Sequence, residues 1–212
     1  LEKQNARRTF LYCSGIIFVG CSLYGFSIGF WRSPLQGVFS GMKLPLIILL
    51  TCLANSLLNT LLAMILGSRL GFRQTSLCVL LSFSLFSLIA AAVGPIALFV
   101  TLDLPDSVSD NALEGHSLGM VIHTFFIAYA GTLRNWKLYQ LLQHLTPSPR
   151  IARQTLFAWL AGNLFLGAQL TYVFRPFFGN PLRKVQFLRD DPMAGNFYLV
   201  FFNSLRNLFD SL

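Results

Sequence analysis

His123 is the one imidazole lying deep inside an apolar stretch of this 212-residue chain. One ring nitrogen there is able to ligate a metal, a haem or a chlorophyll, the other being held by an acceptor on a neighbouring element. The competing use is a hydrogen bond between helices, and no second His or Cys stands beside it at ligand spacing. His116, at the mouth of the same stretch, reads as an interfacial residue. Four amides form a second group. Asn55 and Asn59 are one helical turn apart and share a face, while Asn163 and Gln169 lie in another apolar stretch. Such amides either bond helices together or line a path for a neutral solute, with Ser84 and Ser87 as further lining groups.

Other chemistry is missing from the residue pattern. Walker-type loops, H-E-x-x-H and G-x-S-x-G do not occur. Cys13, Cys21, Cys52 and Cys78 have no C-x-x-C spacing and lie within apolar stretches, which suits free thiols packed as small hydrophobes. No metal site, resident cofactor or enzymatic activity is expected.

The elements that must position these residues are five apolar stretches: 10–30, 45–67, 75–101, 115–133 and 154–174. None contains Lys, Arg, Asp or Glu. Each has about 19 residues or more, roughly what a helix needs to cross a bilayer. Backbone amides have no water partner there, so an open chain crosses only as helices. Composition agrees: 54% of residues are hydrophobic and 11% charged, against about 25% charged in a soluble domain. The expected fold is all-α, a polytopic bundle of five transmembrane helices. Residues 1–174 would form it behind a short basic arm, and 175–212 a tail outside it. The first stretch is too long for a signal-peptide core and has no small-residue cleavage site, so it reads as a retained crossing.

Between the spans, Trp31 and Pro34 end the first helix at the membrane surface, and 35–44 forms a connector in the interface. Pro45 then opens span two, and Gly94-Pro95 kinks span three. Residues 134–145 continue span four as a polar helix projecting from the membrane, and Thr146-Pro147-Ser148-Pro149 breaks the chain. Close helix approach is expected at Gly25 with Gly29, Ala128 with Gly131, and Ala158 with Gly162.

The net charge of +8 invites a nucleic-acid reading, but the cations sit between spans, where orientation and lipid headgroups account for them. With the N-terminus cytoplasmic, the inner segments before the tail carry nine Lys and Arg against two outside, Arg32 and Lys43. Five spans put the tail outside, where its five cations narrow that bias to nine against seven. Within the tail, Phe197, Phe201, Leu205 and Leu208 recur about one turn apart, as in an amphipathic interfacial helix. Arg175, Phe187, Arg189, Phe197 and Phe201 are its candidate docking residues.

Five spans, the basic arm, the Lys43-Leu44-Pro45 start of span two and the Gly71-Phe72-Arg73-Gln74 approach to span three resemble bacterial members of the Yip family of five-helix membrane proteins. The Asp-Leu-Tyr-Gly-Pro signature of that family's eukaryotic members is absent, so a Rab-binding or vesicle-traffic role does not carry over. Arg175-Pro176-Phe177-Phe178-Gly179 and Val185-Gln186-Phe187 resemble the end of bacterial integral-membrane proteins of unassigned function. These resemblances imply a bacterial inner-membrane location and supply no catalytic residue. The leading expectation is a non-enzymatic membrane subunit or scaffold, in contact with lipids and partner membrane proteins, whose outer tail docks a partner. The alternatives are a carrier or channel for a neutral or lipid-like solute, and a pigment- or haem-bearing subunit using His123. After detergent-free lysis and ultracentrifugation the protein is expected wholly in the membrane pellet; recovery in the supernatant overturns the helical-crossing reading.

Overall fold

The computed structural model describes residues 3–199. Five helices account for most of them: α1 Lys3–Phe30, α2 Pro34–Ile65, α3 Phe72–Asp103, α4 Ala112–Leu145 and α5 Pro149–Val173. No strand occurs among the described residues. Helix α2 packs on α1, α3 and α5, α3 also on α1 and α4, and α4 on α5. Helices α2 to α5 thus contact one another in a closed sequence, and α1 packs on both α2 and α3, with Tyr24 reaching His123 of α4. Successive helices run in opposite directions, so the arm and the loops after α2 and α4 share one end. The tail leaves from the other.

Helices α1, α2, α3 and α5 are long and apolar enough to cross a membrane, which is compatible with a multi-pass membrane protein. At 32 residues each, α2 and α3 reach about 48 Å, more than the ~30 Å hydrocarbon core. Helix α4 is longer still at 34 residues but falls outside that apolar set, with His116 and His123 lowering its hydropathy.

Local chemistry explains the helix starts. Ser33 caps α2 by accepting from the Gln36 amide at 3.1 Å, with Pro34 at the first position, where its missing N–H costs least. Ser148 and Pro149 repeat this arrangement at α5, Ser148 accepting from Ile151 at 3.3 Å.

Three expectations are corrected here. Residues 35–44 are not a connector: α2 runs unbroken from Pro34, with Pro45 inside it. Lys43 therefore lies in a helix and is buried, not in an outer loop. Residues 134–145 do not project free, because Arg134, Leu138 and Leu142 are buried and Leu138 and Leu142 belong to the main core. Trp31 is likewise buried, its indole N–H donating to the Pro105 carbonyl at 3.0 Å.

Close approach of α1 to its neighbours depends on glycine. A Cβ on Gly25 would meet the Ser40 carbonyl at 2.6 Å, one on Gly20 the Ser87 carbonyl at 2.5 Å, and one on Gly29 the Gln36 carbonyl. Gly162 does the same for α5, where a Cβ would stand 3.0 Å from Leu58. Gly131 faces open space, so Ala128 and Gly131 form no such contact. Backbone cannot yield as a side-chain tip does, so Gly25→Val is expected to destabilise by about 1–3 kcal/mol in detergent thermal unfolding. Gly15→Ala, with nothing within 4 Å, is the control and is expected to be neutral or stabilising by up to about 1 kcal/mol.

Candidate functional site

Three polar side chains of α2, Gln36, Ser40 and Lys43, follow one another at four- and three-residue spacing and point the same way. All three have no exposed surface. Burying an ammonium is expensive unless its donors are used. The chain supplies the acceptors from 133 residues away: Lys43 Nζ donates to the Pro176 carbonyl at 2.8 Å and faces the rings of Phe177 and Phe187 at 5.7 and 4.9 Å. Gln36 Nε2 donates to the Pro176 and Phe177 carbonyls at 3.0 and 3.1 Å, and Ser40 Oγ donates to the Phe177 carbonyl. None of these partners of Lys43 is a carboxylate. The tail is therefore tied back onto the bundle at the end where it emerges.

That tie places Phe178 in the interior, 3% exposed. Its ring stacks on Trp31 at 4.8 Å and lies 5.5 and 5.6 Å from the rings of His116 and His123. Gly119 makes room for it, since any Cβ there would overlap the Phe178 ring. Gly179 follows with φ +84, a conformation open to glycine at little cost, and packs against Arg32 Cβ.

His123 faces the Tyr24 hydroxyl across 3.3 Å at Nδ1 and the Thr101 hydroxyl across 3.2 Å at Nε2. Both ring nitrogens thus have a partner on another helix, α1 or α3, and a ligand group would have to displace one of them. Tyr24 Oη also lies 3.4 Å from the His123 carbonyl, to which it donates. The geometry is that of an interhelical hydrogen-bonding histidine.

Below Phe178 lies a chamber of about 250 Å³. Its wall is apolar, with Ile47 of α2, Phe86 of α3 and Ile127 of α4 among its residues, Thr171 from α5 and Phe177 and Phe178 as its cap; His123 lines one side. Met120, Ile127 and Thr171 are exposed, so the chamber opens between α4 and α5. The gap has a cause in α5. Its buried residues, Ala152, Thr155, Trp159, Gly162 and Asn163, all precede residue 164, and none of 164–173 is buried.

One turn beyond Ile47 the same α2 face carries Thr51, Asn55 and Asn59. Asn55 and Asn59 have no exposed surface, and neither the oxygen nor the nitrogen of either side-chain amide has a hydrogen-bond partner. Asn163 Oδ1 is also unpartnered, and the opposite helix arrives at Gly162, where a Cβ would stand 3.5 Å from Asn59 Oδ1 and 3.6 Å from Asn55 Oδ1. The contact that does tie α5 to α2 is the Trp159 indole, which donates to the Asn59 backbone carbonyl at 2.9 Å. Gln169 lies away from this group, accepting from the Phe197 amide at 3.2 Å.

The tail residues divide. Arg175 stacks on Tyr172 at 3.4 Å and donates to the Tyr172 carbonyl, and Phe187 sits edge-on to Phe39 at 5.4 Å, so both are engaged within the chain. Arg189 and Phe197 are partly exposed. Phe201, with the rest of the expected amphipathic helix after Leu199, lies outside the described residues. Residue types alone did not single out Lys43, Gln36, Ser40 or Phe178, although the four-and-three spacing of the first three is a helical signal. Arg134, which opens the segment expected to project, is 6% exposed, its guanidinium 4.0 Å over the Phe83 ring.

No protein family model, curated protein or solved structure matches this chain. Lys43→Met keeps the side-chain length but removes the bond to Pro176. Amide hydrogen exchange across 177–189 is expected to accelerate about tenfold or more, since a bond to a charged donor contributes roughly 1.5–3 kcal/mol. Exchange around Trp159 should not change.

Proposed function

We propose that this chain is a non-enzymatic, multi-pass protein of the bacterial inner membrane that binds a lipid-like solute in the chamber under its tail. The observation that carries this reading is the opening of an apolar, side-facing chamber between α4 and the unburied end of α5. Such a chamber admits a molecule already dissolved in the bilayer, without passage through water. The unpartnered amides of Asn55, Asn59 and Asn163, beyond the chamber floor, offer hydrogen bonds to a polar group carried inward.

The proposal takes all five helices as crossings. Helix α4 joins the tail-side end of α3 to the arm-side end of α5 and packs on both, which supports counting it with them. His123 is accommodated because hydroxyls from α1 and α3 meet both of its nitrogens. In this proposal the arm lies in the cytoplasm and the tail outside. With Lys43 buried in α2 and Arg134 buried in α4, the remaining cations before the tail divide eight to one in favour of the arm side.

The partner-docking reading has weaker support, because Arg175 and Phe187 are used to hold the tail on its own bundle. A haem or pigment would have to compete with two hydroxyls for His123.

A neutral lipid analogue with a diazirine on its acyl chain tests the proposal in nanodiscs. Photolabel is expected on α4 between Met120 and Ile127 and on the α5 peptide containing Thr171. It should disappear in Thr124→Trp, which fills the chamber mouth. Label confined to outward residues such as Phe157 and Leu164, unchanged by Thr124→Trp, overturns the reading.

A further inference from the structure

Toward the arm-side end of the bundle a guanidinium is buried with no acid beside it. Arg134 of α4 is 6% exposed and lies over the Phe83 ring of α3. A ring face takes up positive charge, but the N–H donors at the guanidinium edge still need acceptors in their own plane. Arg134 Nε, which is buried, has none, and Ser82 Oγ, buried on α3 beside Phe83, has no partner either. Other serines of these helices behave differently: Ser56, Ser76, Ser84 and Ser87 each donate back to a carbonyl of their own helix. The Ser82 hydroxyl is turned from that use.

Arg134 and Ser82 line one cavity of about 140 Å³ between α3 and α4. Lys137 lines it too, and its Nζ donates to Gln140 Oε1 at 3.1 Å, which uses one of three donors. The described carboxylates are elsewhere. Asp103, Asp106, Asp110 and Glu114 lie where α3 ends and α4 begins, at the tail-side end, and Asp190 and Asp191 lie in the tail. Glu2 is outside the described residues. A buried guanidinium without a countercharge is costly, and an anion in the cavity would supply both the charge and the missing acceptors.

Size and depth narrow the anion. At 140 Å³ the cavity is close to the roughly 150 Å³ that takes up one benzene, so it admits one compact group and no hydrocarbon chain beside it. Leu81, on its wall, is exposed, so the cavity opens at the side of the bundle. Ser82 lies ten residues from the start of α3 and Arg134 eleven from the end of α4, about 15–17 Å from the arm-side helix ends. A centred helix as long as α3 extends about 9 Å beyond each face of the hydrocarbon core. The cavity is therefore just inside the arm-side boundary, where a phosphate reaches a cation through local thinning of the bilayer.

We propose that this cavity holds the phosphate of an anionic phospholipid of the arm-side leaflet. Its oxygens accept from Arg134, Lys137 and Ser82 Oγ, while the acyl chains remain in the bilayer outside Leu81. The site is separate from the chamber under the tail and rests only on α3 and α4 crossing the membrane.

The test is native mass spectrometry of the full chain in detergent, titrated with dioleoyl phosphatidylglycerol or dioleoyl phosphatidylcholine. The first phosphatidylglycerol is expected to bind about tenfold more tightly than the first phosphatidylcholine. Ser82→Ala removes a hydroxyl that no protein group uses, so circular dichroism and lipid-free thermal unfolding should not change. Its phosphatidylglycerol affinity should nevertheless fall about tenfold, the worth of a bond to a charged group. Lys137→Gln should weaken phosphatidylglycerol in the same way, and Arg150→Gln, an exposed cation of the same end, should not. These variants decide the matter even if Arg134→Gln fails to fold. Equal affinity for the two lipids, or an affinity for phosphatidylglycerol that Ser82→Ala and Lys137→Gln leave unchanged, overturns the site. Displacement of phosphatidylglycerol by millimolar inorganic phosphate assigns the cavity to a free anion and overturns the lipid as its source.

Discussion

The bond from Lys43 to the Pro176 carbonyl is the contact on which the tail-side half of the molecule depends. A charged ammonium inside a helix that packs on three others has no solvent to face. Its protons must find oxygen or π density, and within the bundle the neighbouring side chains on α2 are themselves polar and in need of partners. Gln36 and Ser40 turn to the same two carbonyls, so the tail backbone serves three buried side chains at once. Once those carbonyls are in place, Phe178 has one direction open to it, inward over Gly119, and Trp31, His116 and His123 pack around its ring. The cap is thus a consequence of how one helix start is solvated.

Much of the scaffold was legible because the absence of charge is a one-dimensional property. The five apolar stretches correspond to the five helices, and Ser33-Pro34 and Ser148-Pro149 mark two starts that the structure also shows. What failed was Pro45. A proline beside a lysine reads as the first turn of a helix entering from the surface, and that reading is sound when the lysine is solvated. Here the lysine is satisfied by a segment 133 residues later, information that no local window holds. Trp31 misled for the same reason, since its partner Phe178 comes from the tail.

The candidate site divides along the same line. Asn55 and Asn59 were expected to share a face, and they do, because helical spacing is local. Whether they bond another helix was not local: α5 meets them with Gly162, which has no side chain, and uses Trp159 to reach a backbone carbonyl instead. His123 stood between a ligand role and an interhelical bond. Its partners, Tyr24 and Thr101, come from helices far apart in the chain, and neither carries a spacing that points to His123.

The chamber raises a packing question: why α5 does not close onto α4 along its whole length. The earlier part of α5 is drawn in by Trp159 and by the missing side chain at Gly162. The second half is held from another flank. Tyr172 Oη donates to the Ala194 carbonyl at 2.9 Å, Tyr198 Oη to the Phe165 carbonyl at 2.6 Å, and the rings of Phe165 and Tyr198 stack at 5.1 Å. Phe165, Gln169 and Tyr172 recur at four and three residues and so form one stripe, whereas Thr171, on the chamber wall, lies about 100° around the helix from Tyr172. The tail therefore grips α5 on a side away from the chamber after its earlier residues have capped it. In water an apolar gap of this kind would favour collapse of α5 onto α4. In hydrocarbon that drive is absent, because lipid tails are as apolar as the walls. A strap of a few hydrogen bonds and one ring stack is then enough to keep the two helices apart.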